Sequence, residues 1–507
     1  MTNHLYHGLL ARSNPTDVFA KIPAEENGQP RIINYHDVVR ISARYANVLI
    51  ERGLKPGDRV ASQAPKSIDA LMLYLATVRA GGVFLPLNTA YTPNEIEYFL
   101  GDAEPILFIC APENYDDLRP IAKKLGIGLE TLSGTNSGTL YDAASNAAGE
   151  FKDISRASDD LAAILYTSGT TGRSKGAMLS HDNLLSNAVA LVDLWQFNSK
   201  DVLLHALPIF HTHGLFVATN VALLCGASMI FLPAFNNDSV IENLPNCTTM
   251  MGVPTFYTRL LGDERFTKEL VAHIRLFVSG SAPLLAETHI AFEERTGHRV
   301  LERYGMTETN MITSNPYAEE RCAGTVGFPL VGIKVRISDA DTGMPLEAEA
   351  VGVIEVKGPN VFSGYWKMPE KTADEFREDG FFITGDLGKI DERGYLHIVG
   401  RAKDLIISGG YNIYPKEIEL LLDEQEGVLE SAVVGVPHPD FGEGVVGVIV
   451  PSGKGFDPVE TLAKIKPLIA RFKQPKILHV VDELPRNTMG KVQKNTLRKL
   501  LQNTFTE

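Results

Sequence analysis

Residues 166–176 read Tyr-Thr-Ser-Gly-Thr-Thr-Gly-Arg-Ser-Lys-Gly, a run of glycines, hydroxyls and cations behind an apolar stretch. Glycine lets backbone N–H groups turn toward an anion without interference from a Cβ, and the hydroxyls of Thr167, Ser168, Thr170 and Thr171 can donate to the same oxygens. Lys175 adds a full positive charge, so the chemistry on offer is the cradling of a phosphate or polyphosphate. The spacing departs from the G-x-x-x-x-G-K-[ST] loop. A solvated linker has a similar composition, yet linkers do not usually lie between apolar segments such as 161–165 and 177–179.

Such a loop needs elements to hold it. The 507 residues allow two to four domains, and a hydrophobic share of 44% with a charged share of 22% is ordinary for a water-soluble chain. A net charge of −14 provides no broad cationic face, so neither a nucleic-acid partner nor stable membrane association is expected, and an anionic small ligand must find local cations. The cysteines, Cys110, Cys225, Cys247 and Cys322, are far apart with no C-x-x-C pair, which speaks against a metal cage or disulfide framework and suits a reducing compartment. The first residues lack the charged start and long apolar core of a secretory signal, and no apolar run is long enough to span a bilayer; a cytoplasmic location is expected.

Apolar residues at 38, 39, 41, 43, 46, 49 and 50 fall at near-helical spacing, and Gly53 is a natural stop before the Lys-Pro-Gly-Asp turn at 55–58. Strands are expected at 59–63, 106–110, 162–166 and 202–204 with helical patterns between them, the alternation of a layered α/β architecture. The character changes near 400–404. A helix at 415–422, two valine-rich strands around 437–442, a helix from about 458 kinked by Pro467 and a strand at 476–481 then make a unit of small-domain size. On charge alone, the basic stretch 485–494 reads as a solvated tail.

Taken in order, the loop at 166–176, Ser-Gly-Ser-Ala-Pro at 279–283, Glu-Arg-Tyr-Gly-Met-Thr-Glu at 302–308, Thr-Gly-Asp at 384–386, Gly400-Arg401 and Lys491 resemble the adenylate-forming superfamily of acyl-CoA synthetases, peptide-synthetase adenylation domains and luciferases. The resemblance covers nearly the whole chain. It implies an α/β fold with a large layered N-terminal domain (1–400) that includes a β-barrel-like subdomain, and a small mobile C-terminal α+β domain (401–507). The implied reaction is attack of a carboxylate on the α-phosphorus of ATP, release of pyrophosphate, and attack of the CoA thiol on the acyl-adenylate, with Mg²⁺ as cofactor. Both partners in the first step are anions, so charge neutralisation is the main catalytic demand.

The same resemblance implies the roles. Thr167, Ser168, Gly169, Thr170, Thr171, Gly172 and Lys175 would hold the β- and γ-phosphates. Glu308, with Thr170, would bind Mg²⁺, a hard cation that takes one carboxylate plus phosphate oxygens and water. Thr307 would face the α-phosphate. Gly280, Ser281, Ala282, Pro283, Glu302, Arg303, Tyr304, Gly305 and Met306 would wall the adenine slot, with Tyr304 stacked on the base, and Asp386 and Arg401 would hold the ribose hydroxyls. Lys491 would be the adenylation lysine, brought in by rotation about Lys403, where many relatives have Asp; a hinge needs tolerant backbone rather than a given charge. After rotation Ser408, Gly409, Gly410 and Tyr411 would face the pantetheine arm of CoA. The thiol comes from CoA, so no cysteine need act, and no carrier domain is expected in the chain.

Segments 84–91, 205–217, 275–285 and 302–310 are similar to those of malonyl-CoA synthetases within that superfamily. This implies malonate, and methylmalonate beside it, as the acid, with His211, Thr212, Ser281 and Met311 in the acyl pocket and an arginine on the free carboxylate. Arg259 is expected there, with Arg275 second; guanidinium offers a fork to a carboxylate, although an isolated arginine is more often an ordinary surface residue. Short- or medium-chain fatty, oxalate or aryl acids on the same scaffold are the alternatives. A non-catalytic nucleotide binder is disfavoured by the intact Lys175, Glu308, Asp386 and Lys491, and a carrier-loading adenylation domain by the lack of a following carrier segment.

Overall fold

The structure, a computed structural model, describes residues 2–23, 30–167, 174–408, 411–439, 441–453, 455–469, 471–487 and 490–505. The expectations for Ser168, Gly169, Thr170, Thr171, Gly172, Gly409 and Gly410 lie outside the described residues, as does any statement about the Tyr411 side chain. The chain forms two compact units, Met1–Val335 with Val356–Phe382, and Arg336–Glu355 with Ile383–Glu507. The boundary expected after residue 400 thus falls inside the second unit. Strand Phe382–Ile390 pairs with Leu396–Arg401 in a hairpin, and helix Pro415–Asp423 packs on the latter strand, so the hairpin is tied to the C-terminal elements.

The first unit holds two sheets. One orders its strands Gly128–Thr131, Leu107–Cys110, Arg59–Gln63, Val83–Pro86, Leu161–Thr167 and Lys175–Ser180, parallel except for the last pair. The strands 83–86 and 107–110 are buried throughout, which is why their sequences run apolar rather than alternating. Helix Tyr35–Glu51 starts on a capping box, the Asn34 side chain accepting from the Asp37 N–H while the Asp37 carboxylate accepts from the Asn34 N–H. The other sheet has nine strands in the order Phe328–Pro329, Asn310–Ser314, Leu301–Met306, Leu276–Ser279, Thr249–Gly252, Val202–His205, Ser228–Phe231, Val18–Ile22 and Arg31–Asn34, parallel from 301–306 across to 18–22.

The core beside that sheet fixes a helix that borders the site. Tyr257, on helix Pro254–Leu261, meets Phe292 edge-on with ring centroids 5.4 Å apart, and Phe292 meets Phe277 at 5.0 Å. The Tyr257 hydroxyl donates to the Val278 carbonyl at 2.6 Å, which gives a buried phenol its partner and ties the helix to strand 276–279.

A four-stranded sheet, Lys334–Ser338, Gly352–Lys357, Phe382–Ile390 and Leu396–Arg401, lies mostly in the second unit; the β-barrel-like subdomain was expected in the large N-terminal part, without bounds. The second unit's other sheet orders Tyr411–Ile413, Ile406–Ser408, Gly442–Pro451 and Val428–His438, with Ile477–Val480 added on 442–451. Alternation along the two long strands divides its apolar residues between two cores. Val433, Val445 and Ile449 face Ile418, Leu422 and Ile465, while Val434, Val446 and Val448 face Leu484 and Leu497. The described residues of 485–494 are therefore no solvated tail: buried leucines flank the stretch, Arg486 pairs with Glu430, and Lys494 Nζ lies 2.5 Å from Glu419 Oε1. At Pro467 a 3₁₀ turn, Lys466–Leu468, follows helix Pro458–Ile465 in place of a kinked continuation. Among the described residues no helix is long and apolar enough to cross a membrane.

Candidate active site

Strands Leu161–Thr167 and Lys175–Ser180 run antiparallel with Thr167 opposite Lys175, so these two residues flank the segment 168–173. A Cβ on Gly176 would meet Ile164 Cγ2 at 2.9 Å, which explains the glycine that follows the lysine. Lys175 Nζ sits 3.0 Å from Glu375 Oε1 and 4.0 Å from the Tyr365 ring centroid. The Tyr365 hydroxyl lies 2.7 Å from Glu375 Oε2 and 3.0 Å from Glu308 Oε1. Burial, then these carboxylates, push the Tyr365 pKa up, so the phenol keeps its proton. One polar network thus joins the phosphate-type lysine to the carboxylate expected to hold a metal.

Glu308 is 5% exposed and lies in the turn between strands Leu301–Met306 and Asn310–Ser314. That turn needs Gly305, where a Cβ would collide with the Asn310 carbonyl at 1.9 Å; Asn310 itself has φ +48°. The Phe362 N–H donates to the Glu308 carbonyl at 2.8 Å. Among the described residues no three metal-ligating side chains gather, whereas a lone carboxylate suits Mg²⁺, which takes its other ligands from phosphate and water.

A second constellation forms at the C-terminal ends of the parallel strands 249–252, 276–279 and 301–306, the usual ligand edge of such sheets. Arg303 is 4% exposed, and its Nε and Nη2 have no hydrogen-bond partner among the described residues. Burial pulls its pKa down to about 9, with Tyr257 opposing, and it stays protonated at neutral pH. Gly280 makes room for it: a Cβ there would lie 2.3 Å from the guanidinium carbon. Nearby, buried His213 has its pKa held well below the usual value, by burial first and then by Arg303. Its Nδ1 is 3.2 Å from Ser281 Oγ; with Ser281 donating, Nε2 carries the ring proton and is a donor without a partner among the described residues. Ser281 has φ +71°, a costly conformation for a residue with a Cβ and one that concentrates at functional loops. His213 opens a π-helical turn, His213–Thr219. A buried guanidinium with two nitrogens, and a neighbouring imidazole donor, that lack partners among the described residues is what an anionic ligand would satisfy.

Other pocket residues expected from sequence fall around it. Thr212 Oγ1 donates to Asn310 Oδ1 at 2.7 Å, and the Asn187 side chain brackets buried Met311, donating to its carbonyl at 2.7 Å and accepting from its N–H at 3.1 Å. His211 Nδ1 is 3.3 Å from the His213 N–H. Tyr304, Met306, Thr307, Ser281 and Ala282 are half-buried, and Pro283 is exposed. Arg259 is exposed near the end of helix Pro254–Leu261.

Two expectations need correction. Glu302 points into the core, with Oε1 3.1 Å from His289 Nδ1 and its pKa raised by burial, so it braces strand 301–306 rather than walling an adenine slot. Arg275 is committed to Asp201, with Nε and Nη2 each 2.7 Å from a carboxylate oxygen, and Nη1 donates to the Trp195 carbonyl at 2.9 Å; this bidentate pair leaves it no fork for a substrate.

In the second unit Asp386 is 3% exposed, with Oδ1 2.7 Å from Arg401 Nε across the hairpin. Burial lowers the Lys403 pKa, and its neighbour Asp404 pairs with Arg498 at 2.8 Å. Ser408 is buried and Lys491 is exposed, its N–H held by Asn487 Oδ1 at 2.9 Å. Sequence reading missed Tyr365 and Glu375, which stand 57 and 200 positions from the residues they serve, with no motif to link them. It also gave no sign that Arg303 is buried with Nε and Nη2 lacking partners among the described residues. The available signal was a cation inside a short strand, Leu301–Met306, whose first half is buried.

Comparison with known proteins identifies the relatives of the chain. The AMP-binding enzyme family matches residues 11–366, and the AMP-binding enzyme C-terminal domain matches 417–491. The malonate–CoA ligase of Arabidopsis thaliana is 36% identical over 488 residues, covering 89% of this chain and 79% of the relative. A mitochondrial malonate–CoA ligase of Mus musculus is 35% identical over 490 residues, covering 89% and 83%. The crystal structure of ATP-bound MatB from Rhodopseudomonas palustris superposes with a TM-score of 0.97 at 57% identity, covering all of both chains.

Proposed function

We infer the reaction from one premise, that the chain belongs to the AMP-binding enzyme family. It is an AMP-forming acid–thiol ligase that joins malonate to coenzyme A through a malonyl-adenylate, consuming ATP and releasing AMP and pyrophosphate. The observation that carries the choice of acid is Arg303, a buried guanidinium whose Nε and Nη2 lack partners among the described residues. A monocarboxylic fatty or aryl acid would place an uncharged end there and leave the cation bare, at a cost on the order of 3 kcal/mol. A dicarboxylate supplies the missing anion at one end and the reacting carboxylate at the other.

The residues divide the work by charge. Arg303 receives the free carboxylate, with His213 Nε2 and the Ser281 loop beside it and Arg259 as a second, more exposed cation. Lys175 and the hydroxyls of the 166–176 loop, Thr167, Ser168, Thr170 and Thr171, take the polyphosphate, with the backbone of Gly169 and Gly172. Glu308, with Thr170, would hold Mg²⁺, whose charge draws density from the phosphates. Thr307 attends the α-phosphate, Tyr304 stacks on the adenine beside Gly280, Ala282, Pro283, Gly305 and Met306, and Asp386 with Arg401 takes the ribose. Lys491 neutralises the carboxylate and α-phosphate as they meet, Lys403 is the hinge, and Ser408 to Tyr411 receive the pantetheine arm. The pocket, which offers small discrimination against one methyl, also admits methylmalonate.

ATP–pyrophosphate exchange tests this reading. Wild-type protein should exchange in response to malonate, and Arg303→Met should raise the malonate KM roughly a hundred-fold while moving the ATP KM little, because a buried charge contact to the acid alone is lost. Equal rises in both constants would return Arg303 to the nucleotide.

A further inference from the structure

Among the described residues of the first unit, three donors reach Glu375. Lys175 Nζ and Lys371 Nζ each lie 3.0 Å from Oε1, and the Tyr365 hydroxyl lies 2.7 Å from Oε2. The Lys175 and Glu375 side chains are 14% and 20% exposed, so water screens their attraction only in part. Burial alone would raise the Glu375 pKa; the hydrogen bonds from Tyr365, Lys371 and Lys175 outweigh it and hold the carboxyl below its usual range.

We propose that Glu375 stands in for phosphate: it holds Lys175 when no nucleotide is bound, and polyphosphate binds by exchange, taking Lys175 while Lys371 and Tyr365 keep Glu375 satisfied. This rests on the reading of Lys175 as the polyphosphate cation. A mostly buried ammonium needs an anionic partner, and a multiply charged phosphate outbids a carboxylate for it. Release of the lysine leaves no bare carboxylate, because two of the three donors remain on it. The same carboxylate reclaims Lys175 as pyrophosphate departs. Glu375 is thus a positioning residue that sets the affinity of the phosphate site without touching the reacting atoms.

The test is calorimetric titration of the full chain with inorganic pyrophosphate in Mg²⁺, which needs no turnover. Glu375→Gln keeps the shape and the Tyr365 contact but removes the competing charge; pyrophosphate should bind about five-fold tighter, the order that a partly exposed ion pair is worth. Lys371→Met should shift affinity the other way, since Glu375 then depends more on Lys175. Glu370→Gln, a change of the same charge in the first turn of the short helix Pro369–Asp374 that Glu375 caps, should leave binding unchanged, and the gain from Glu375→Gln should vanish on a Lys175→Met background. In turnover, Glu375→Gln should lower the ATP KM without raising kcat. Unchanged or weaker binding by Glu375→Gln overturns the proposal, as does equal tightening in Glu370→Gln or without Lys175. Wild-type protein that binds no pyrophosphate would instead overturn the phosphate reading on which the proposal stands.

Discussion

Arg303 and Arg275 show how little an arginine's place in sequence says about its use. Arg303 lies on strand Leu301–Met306 and Arg275 immediately before the neighbouring strand Leu276–Ser279, yet Arg275 is closed by Asp201 while Arg303 Nε and Nη2 meet no partner among the described residues. Residue type and motif position led to Arg259 and Arg275; only the partners of each guanidinium separate a structural tie from a ligand cation. Arg303→Met is therefore expected to raise the malonate KM more than Arg259→Ala does, because the exposed guanidinium works in a screened setting. Steady-state kinetics on both variants checks the order. Lys491 belongs to this scale too. Lys491→Ala should abolish malonate-dependent pyrophosphate exchange while thioester formation from supplied malonyl-adenylate survives, since the lysine serves only the step in which two anions meet. Equal loss of both half-reactions would contradict that role.

Elements were legible where a local rule fixes them. The helix at 35–51 follows from near-helical apolar spacing and the stop at Gly53, the strand at 59–63 from the turn before it, and the strand at 161–167 from the apolar run at 162–166. The helix Lys494–Leu500 was not legible, because its charged sequence hides one buried leucine, Leu497, whose contacts lie on distant valines. Helix Pro415–Asp423 carries a measurable consequence of such packing. Burial raises the Asp423 pKa from the usual carboxylate range to about 6, against the Ser431 hydrogen bond. The folded state then holds this proton more tightly than the unfolded chain, so stability from this group is lost as pH rises from about 4 through 6. Asp423→Asn should stabilise the second unit by on the order of 2 kcal/mol at pH 7 and by almost nothing at pH 4, read from denaturant midpoints at the two values. Equal effects at both would contradict the burial argument.

At the scale of the molecule, the order of motifs from 166 to 491 was enough to give the family, the layered α/β unit and the small α+β unit, since those motifs mark strand ends and turns that the fold holds in place. The division at 382/383 was not, because sheet pairing across the hairpin at 382–401 outweighs the change of composition near 400. The identity of the acid was legible as a resemblance, whereas the physical basis proposed for it, a buried guanidinium with two nitrogens lacking partners among the described residues, needed the packed strands 276–279 and 301–306 to be seen together. The most direct test offers wild-type protein an equimolar mixture of acetate, malonate, methylmalonate, succinate and octanoate with ATP, Mg²⁺ and CoA, and identifies the CoA thioesters by mass. Malonyl-CoA should dominate with methylmalonyl-CoA behind it; a predominance of acetyl-CoA or octanoyl-CoA would contradict the assignment of a dicarboxylic acid to Arg303.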